Sequence, residues 1–312
     1  MMRVRATLRA GILPLLLCLL VPACSSNGPA PRSSAVGDPR SIHVGSFDFP
    51  ESVLLAQLYG QALTNAGFHV TFSLNLGSRE FVEPILEQGY LDLVPEYAGS
   101  ALQFTSLGQV QPTSSLEADR AALARSLTSR GLVALGSAPA QDQNAVVVKA
   151  TTAAAEHLLT ISDLVPLAHS MTFGAPAECL VRELCLEGLE RRYGLRFART
   201  IALDAAGTYT ISSLRTGQID VGLLFSTDGR IPASGLVALL DDRGLQPAEN
   251  VTPVIRRAVL DRFGHRLRDV VDAVSARLTS TALTSLNQQV TVAGEPPSRV
   301  AARWLQGQGL GR

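Results

Sequence analysis

From residue 41 onward, short β-rich runs alternate with amphipathic helical stretches, and this alternation narrows the possible folds more than any other feature. Residues 42–45 are β-rich. Pro50 suits the first position of a helix that carries Val53, Leu54, Leu58 and Leu63 and stops at Gly67. Residues 69–76 alternate as a strand, with Val70, Phe72 and Leu74 on one face. Ser78 caps a helix that runs through Phe81, Ile85 and Leu86 to Gly89, and residues 91–94 form another apolar strand. A βαβαβ start of this kind predicts a parallel sheet covered by helices on both faces.

A second unit of the same kind follows. Residues 144–148 read as a strand, Thr160 to Leu164 as a short helical turn, 171–173 as a strand and 184–193 as a helix. Strands at 200–203 and 219–225 flank part of a helix at 211–216. Apolar runs at 236–240 and 251–255 come next, and the chain from Arg256 onward is mostly helical. Two α/β units predict two lobes with a cleft between them, where ligands sit outside the carboxyl ends of the strands.

The N-terminus carries a separate message. Arg3, Arg5 and Arg9 precede an uncharged apolar run over residues 10–21. That run is shorter than the roughly 20 residues of a membrane span and reads as the core of a signal peptide. It ends in Val21-Pro22-Ala23-Cys24, a lipobox-like sequence in which cleavage after Ala23 leaves Cys24 as an acylated N-terminus. The alternative is an ordinary signal peptide with an incidental cysteine. Residues 24–40, rich in Ser, Pro and Gly, read as a flexible tether. The expected product is exported and held by lipid at the outer face of the cytoplasmic membrane.

Charge and motif content exclude several classes. The chain balances 27 basic against 27 acidic residues, and no basic stripe or stacking aromatics point to nucleic acid. Once Cys18 leaves with the signal peptide and Cys24 takes lipid, Cys179 and Cys185 remain and are expected to pair as a disulfide. No histidine or further cysteine lies near them to complete a metal site. A nucleophile elbow, phosphate loop or zinc-binding helix motif is absent from the sequence, so neither an enzyme nor a cofactor is expected.

Three stretches carry a family resemblance. They are Gly45-Ser46-Phe47-Asp48-Phe49-Pro50-Glu51-Ser52; Leu74-Asn75-Leu76-Gly77-Ser78-Arg79 with Gly89-Tyr90-Leu91-Asp92-Leu93-Val94-Pro95-Glu96-Tyr97-Ala98-Gly99-Ser100; and Phe225-Ser226-Thr227-Asp228-Gly229-Arg230-Ile231. In this order they resemble the substrate-binding proteins of glycine betaine, carnitine and choline ABC transporters. The resemblance implies a two-lobed α/β type II periplasmic-binding-protein fold with a ligand cleft between lobes that close about a two-segment hinge. The crossings would fall near 141–144 and 226–231, which makes residues 41–143 the first part of lobe 1, 144–228 lobe 2 and 229–312 the return to lobe 1. The implied partners are ABC permease and ATPase subunits.

A quaternary ammonium has no N–H to donate, so such families hold it on aromatic faces. By resemblance Tyr97 matches an aromatic wall, or is a tyrosine packed at a strand end. Ser78 and Arg79 open a helix whose N–H groups face the cleft. Phe47 and Asp48 stand where betaine binders often place a lysine; this removes a carboxylate partner and favours a choline-like cation over glycine betaine. Gln143 and Asn144 offer amides at the first crossing where relatives carry a tyrosine. A further cleft tyrosine corresponds either to Tyr209 or, without a gap, to Ile211, and Phe225 closes the cage. Arg182 contacts a ligand carboxylate, bridges the lobes, or is a surface arginine on a clipped loop. Thr227 and Asp228 bind ligand or shape the hinge turn. Two other readings are a sensor or structural lipoprotein that keeps the fold, and a binder of another polar zwitterion.

Overall fold

The computed structural model describes residues 40–311. The signal-peptide reading of residues 1–23, the lipid site at Cys24 and the tether up to residue 39 lie outside the described residues. The first stretch runs β1 (Ser41–Gly45), α1 (Pro50–Asn65), β2 (His69–Ser73), α2 (Arg79–Glu87), β3 (Leu93–Tyr97), α3 (Ala98–Thr105), α4 (Leu116–Thr128) and β4 (Leu132–Ala134). The second runs β5 (Asn144–Lys149), α5 (Ala150–Ala155), β6 (Thr172–Ala175), α6 (Leu186–Gly188), β7 (Arg199–Ala202), α7 (Thr208–Thr216), β8 (Val221–Phe225), α8 (Arg230–Ala233) and β9 (Leu236–Ala238). The chain closes with β10 (Val251–Arg256), α9 (Arg257–Ser275), α10 (Ser280–Thr291) and α11 (Pro297–Gly307). Among the described residues no helix is long and apolar enough to cross a membrane.

Local chemistry accounts for most of these boundaries. Pro50 opens α1, where its missing N–H costs nothing. β2 ends earlier than the alternation predicts, because Asn75 (φ 56°) and Gly77 (φ 127°) turn the backbone left-handed. β3 lies further along than residues 91–94, and all five of its residues are buried, so Tyr97 is its last residue. The predicted 184–193 helix is a single turn, α6, that continues as a π-type turn over Leu189–Tyr193. Gly60 lets α1 settle onto β2: a Cβ there would lie 2.3 Å from the Phe72 ring.

The strands form two five-stranded sheets, ordered β2-β1-β3-β10-β4 and β7-β6-β8-β5-β9. Both are mixed rather than parallel. β1 pairs in parallel with β2 and β3, and β6 with β7 and β8. β10 is antiparallel to β3 and β4, and β5 to β8 and β9, because each arrives from the other lobe. β5 is buried on both faces: Val146 and Val148 enter one apolar cluster with Phe173 and Val221, while Ala145 and Val147 enter another with Leu214 and Leu224. The first lobe has a single larger core built on Ile42, Val44, Leu54, Leu58, Val94 and Val254.

The first crossing joins β4 to β5 and ends near Asn144. The second joins β9 to β10, so it falls between Ala238 and Val251 and not at residues 226–231. The reason is β9, which pairs with β5 as an edge strand of the second sheet and keeps residues 229–238 in lobe 2. The two crossings run side by side: Gln141 bridges Asn250, and the Asp142 amide donates to the Glu249 carbonyl at 3.0 Å.

Candidate binding cleft

Between the lobes lies a cavity of about 360 Å³, within the range of small-molecule sites. Its first-lobe wall comes from the turn after β1, the start of α2, and the end of β3 with α3. Its second-lobe wall comes from the Cys179–Cys185 loop, Ala205, and strands β5 and β8. The turn after β1 is held firmly: Ser52 Oγ accepts from the Phe47 amide at 2.9 Å, and Ser46 Oγ accepts from the Asn75 amide at 3.0 Å.

Four aromatic rings meet in the cleft, three from the first lobe and Phe225 from β8 of the second. Phe47 stacks on Phe49 with centroids 6.0 Å apart, and Phe49 lies 6.3 Å from Tyr97 and 4.9 Å from Phe225. Phe49 joins the wall although the resemblance pointed only to its neighbours; its place in the same turn was the available signal. Phe47 already carries a cation, since the Arg79 guanidinium stands 5.2 Å from its ring centroid. The Tyr97 hydroxyl donates to Glu51 at 2.6 Å, which fixes the ring against the cleft.

Arg79 is not available to a ligand as a bare charge. Its Nε and one terminal nitrogen donate to the two oxygens of Glu96, each at 2.8 Å. Bidentate pairing of this kind is the strong form of the guanidinium–carboxylate contact. Ser78 also departs from expectation: it precedes α2, but its hydroxyl donates to Glu80 at 2.7 Å and makes no side-chain cap. Beneath Arg79, Glu83 is buried beside Glu96, and burial pushes its carboxyl well above the usual range. Glu249 lines the cavity and accepts from Ser100, from the hydroxyl at 2.6 Å and from the amide at 3.1 Å. Burial raises the Glu249 carboxyl to about 7, against the lowering effect of the Ser100 bonds and Arg79.

The lobes touch across the cleft mouth through one loop. Cys179 and Cys185 form a disulfide with Cα atoms 5.2 Å apart. Within that loop Arg182 donates from Nε at 3.0 Å and from a terminal nitrogen at 2.7 Å to Glu80 of α2. Glu183 beside it accepts from Gln103 and Gln111 of the first lobe, each at 2.8 Å. Burial alone would raise the Glu80 carboxyl, but the bonds from Arg182 and Ser78 hold it down to about 2.

Several expected residues sit elsewhere. Asp48, Asn144 and Phe225 line the cavity, and the Asn144 amide donates to the Leu184 carbonyl at 3.0 Å. Gln143 does not; it donates to the Pro247 carbonyl at 2.7 Å and stitches the crossings together. Tyr209 points to solvent at 74% exposure, and Ile211 is packed in the second-lobe core; Ala205 forms the wall there instead. Thr227 and Asp228 are buried, in the second lobe beside the first crossing. Thr227 donates to Glu51, Asn287 donates to the same carboxylate, and the Thr227 amide donates to Asp142 at 2.9 Å. Asp228 pairs with Arg230 at 2.6 Å and shapes the turn into α8. Nothing local in the sequence marks Ser100, Gln103, Phe104 or Glu249 as wall residues; only the closing of one lobe on the other does.

The sequence and fold match known proteins. Residues 40–307 match the model of the family described as the substrate binding domain of ABC-type glycine betaine transport system. The chain is similar to a glycine-betaine-binding protein of Pseudomonas aeruginosa, 28% identical over 88% of this chain and 90% of that protein. It is also similar to the glycine betaine-binding protein YehZ of Escherichia coli (strain K12), 27% identical over 86% of this chain and 90% of that protein. A solved glycine betaine/carnitine/choline ABC transporter structure superposes with a TM-score of 0.67 at 23% identity, covering 86% of this chain and 99% of that one. With a two-lobed fold, a cleft between the lobes and a match along nearly all described residues, the chain belongs to the family of substrate-binding domains of ABC-type glycine betaine transport systems.

Proposed function

We propose that the protein is the extracytoplasmic solute-binding lipoprotein of an ABC importer, and that it captures a quaternary amine without a carboxylate, choline-like in preference to glycine betaine. The cargo passes to a permease driven by ATPase subunits. One observation carries the ligand preference. Six acidic side chains line the cavity against two arginines, and each arginine already has its carboxylate, Glu96 for Arg79 and Glu80 for Arg182. A ligand carboxylate meets no unengaged cation among the lining residues, whereas a quaternary ammonium needs only ring faces and surrounding negative charge.

The names of relatives support the amine class: two are glycine betaine binders, and a carnitine transport binding protein of Listeria monocytogenes is 24% identical over 85% of this chain. These relatives are solute-binding proteins, and the protein is not an enzyme. Export and anchoring rest on the charged start, the short apolar run and Cys24.

Titration calorimetry with choline, glycine betaine, carnitine and ergothioneine tests the cargo. Choline is expected to bind tightest; betaine binding tenfold tighter than choline, or silence from all four, sinks the ligand reading. For the anchor, the Cys24→Ser chain is expected to leave the membrane fraction, and its retention there would refute lipidation at that residue.

A further inference from the structure

Glu249 occupies an unusual position. It belongs to the second crossing, where its carbonyl accepts from the Asp142 amide, yet its side chain reaches the cavity wall. It is 2% exposed, and Ser100 supplies both of its hydrogen bonds. The charged groups around it are Arg79 of α2 and Glu96 of β3, which neutralise each other, with Asp142 on the adjacent crossing. Glu249 is therefore a cavity-lining carboxyl without a counter-ion of its own.

We propose that Glu249 determines the specificity of the cleft through its protonation. As a carboxylate it favours an amine that carries only positive charge; as a carboxylic acid it donates a hydrogen bond to the carboxylate of a zwitterionic amine. This rests on the quaternary-amine reading above and adds a ligand preference that changes with pH.

The balance is simple. Near pH 7 about half of the sites carry the Glu249 proton, so choline capture releases about half a proton per site to solvent and betaine capture takes up about half. Burial places this carboxyl at about 7, so its ionised fraction goes from about one-tenth near pH 6 to about nine-tenths near pH 8. The choline dissociation constant is then expected to fall about tenfold across that interval while the betaine constant rises. Glu51 and Asp142 also titrate high at the hinge, so the Glu249→Gln variant isolates the contribution of Glu249. Its choline and betaine affinities should both change with pH much less than those of the wild type, with the ratio shifted towards betaine.

Calorimetry of both ligands at the two pH values, with the wild-type chain and Glu249→Gln, decides the matter. Wild-type slopes that persist in the variant overturn the proposal, as does choline binding that is independent of pH in the wild type; the latter leaves the quaternary-amine reading standing. Silence from both ligands overturns both. Should the variant fail to fold, wild-type titrations near pH 7 in two buffers of different ionisation enthalpy serve instead. Proton release with choline and uptake with betaine support the proposal, and no proton exchange refutes it.

Discussion

Tyr97 shows how one side chain serves both cage and hinge. Its ring faces the cleft, and its hydroxyl is a donor to Glu51, whose other oxygen takes bonds from Thr227 and Asn287. Burial raises the carboxyl of Glu51, and burial together with the neighbouring Glu51 raises that of Asp142, so each lost donor is felt. Tyr97→Phe keeps the ring but removes a donor, and urea unfolding is expected to show a loss of about 1–3 kcal/mol, with choline affinity little changed. Tyr97→Ala removes the ring as well, and calorimetry should show affinity lower by on the order of tenfold. Equal affinity losses in the two variants would mean that the hydroxyl, not the ring, holds the ligand.

At the scale of elements, the clipped loop after β6 is built to latch. Arg182 and Glu183 project from one short loop to partners on α2, on α3 and at Gln111. The Arg182–Glu80 pair is partly exposed, with 31% and 45% of the side chains accessible, so it contributes up to about 1 kcal/mol. Arg182→Ala should leave urea stability within that margin while weakening ligand binding up to about fivefold. Small-angle scattering of the ligand-bound variant would show incomplete closure; a wild-type profile would refute the latch. Joint replacement of Cys179 and Cys185 by Ser frees the loop in the unfolded chain, a change expected to cost about 2 kcal/mol. An unchanged denaturation midpoint would mean that packing alone holds the loop.

For the molecule as a whole, the buried carboxyls around the cleft set the response to pH. Glu249 keeps its proton in the fold up to about 7, against an ordinary value of 4.5. As pH rises between those values the unfolded chain sheds a proton that the fold retains, so stability falls by about 3 kcal/mol from this group. Glu51, Glu83 and Asp142 shift in the same direction. The ligand-free protein should therefore melt at a higher temperature near pH 5 than near pH 8 in scanning calorimetry. Glu249→Gln should flatten the slope; a melting point that rises with pH would contradict the sign.

Much of what depends on neighbours along the chain was legible in residue order alone, although β2 ends sooner, β3 starts later and the 184–193 helix is shorter than periodicity implies. Proline at N1 of α1, the apolar face of β2 and the doubly buried run of β5 each follow from local sterics and periodicity. The export and anchoring proposed above rest on the charged start, the short apolar run and Cys24, without any fold at all. Strand order was not legible, because β10 enters the first sheet beside a strand more than 150 residues earlier, and nothing near Val251 announces that partner. The second crossing moved for the same reason, once β9 paired back onto β5. The site divides along the same line. Tyr97 and Arg79 sit in stretches with a recognisable order, but the engagement of Arg79 by Glu96, the exclusion of Tyr209 and the arrival of Glu249 beside Ser100 were decided by packing between elements distant in sequence. Charge in a closed cleft is a sum over residues distant in sequence, and only the tertiary structure performs that sum.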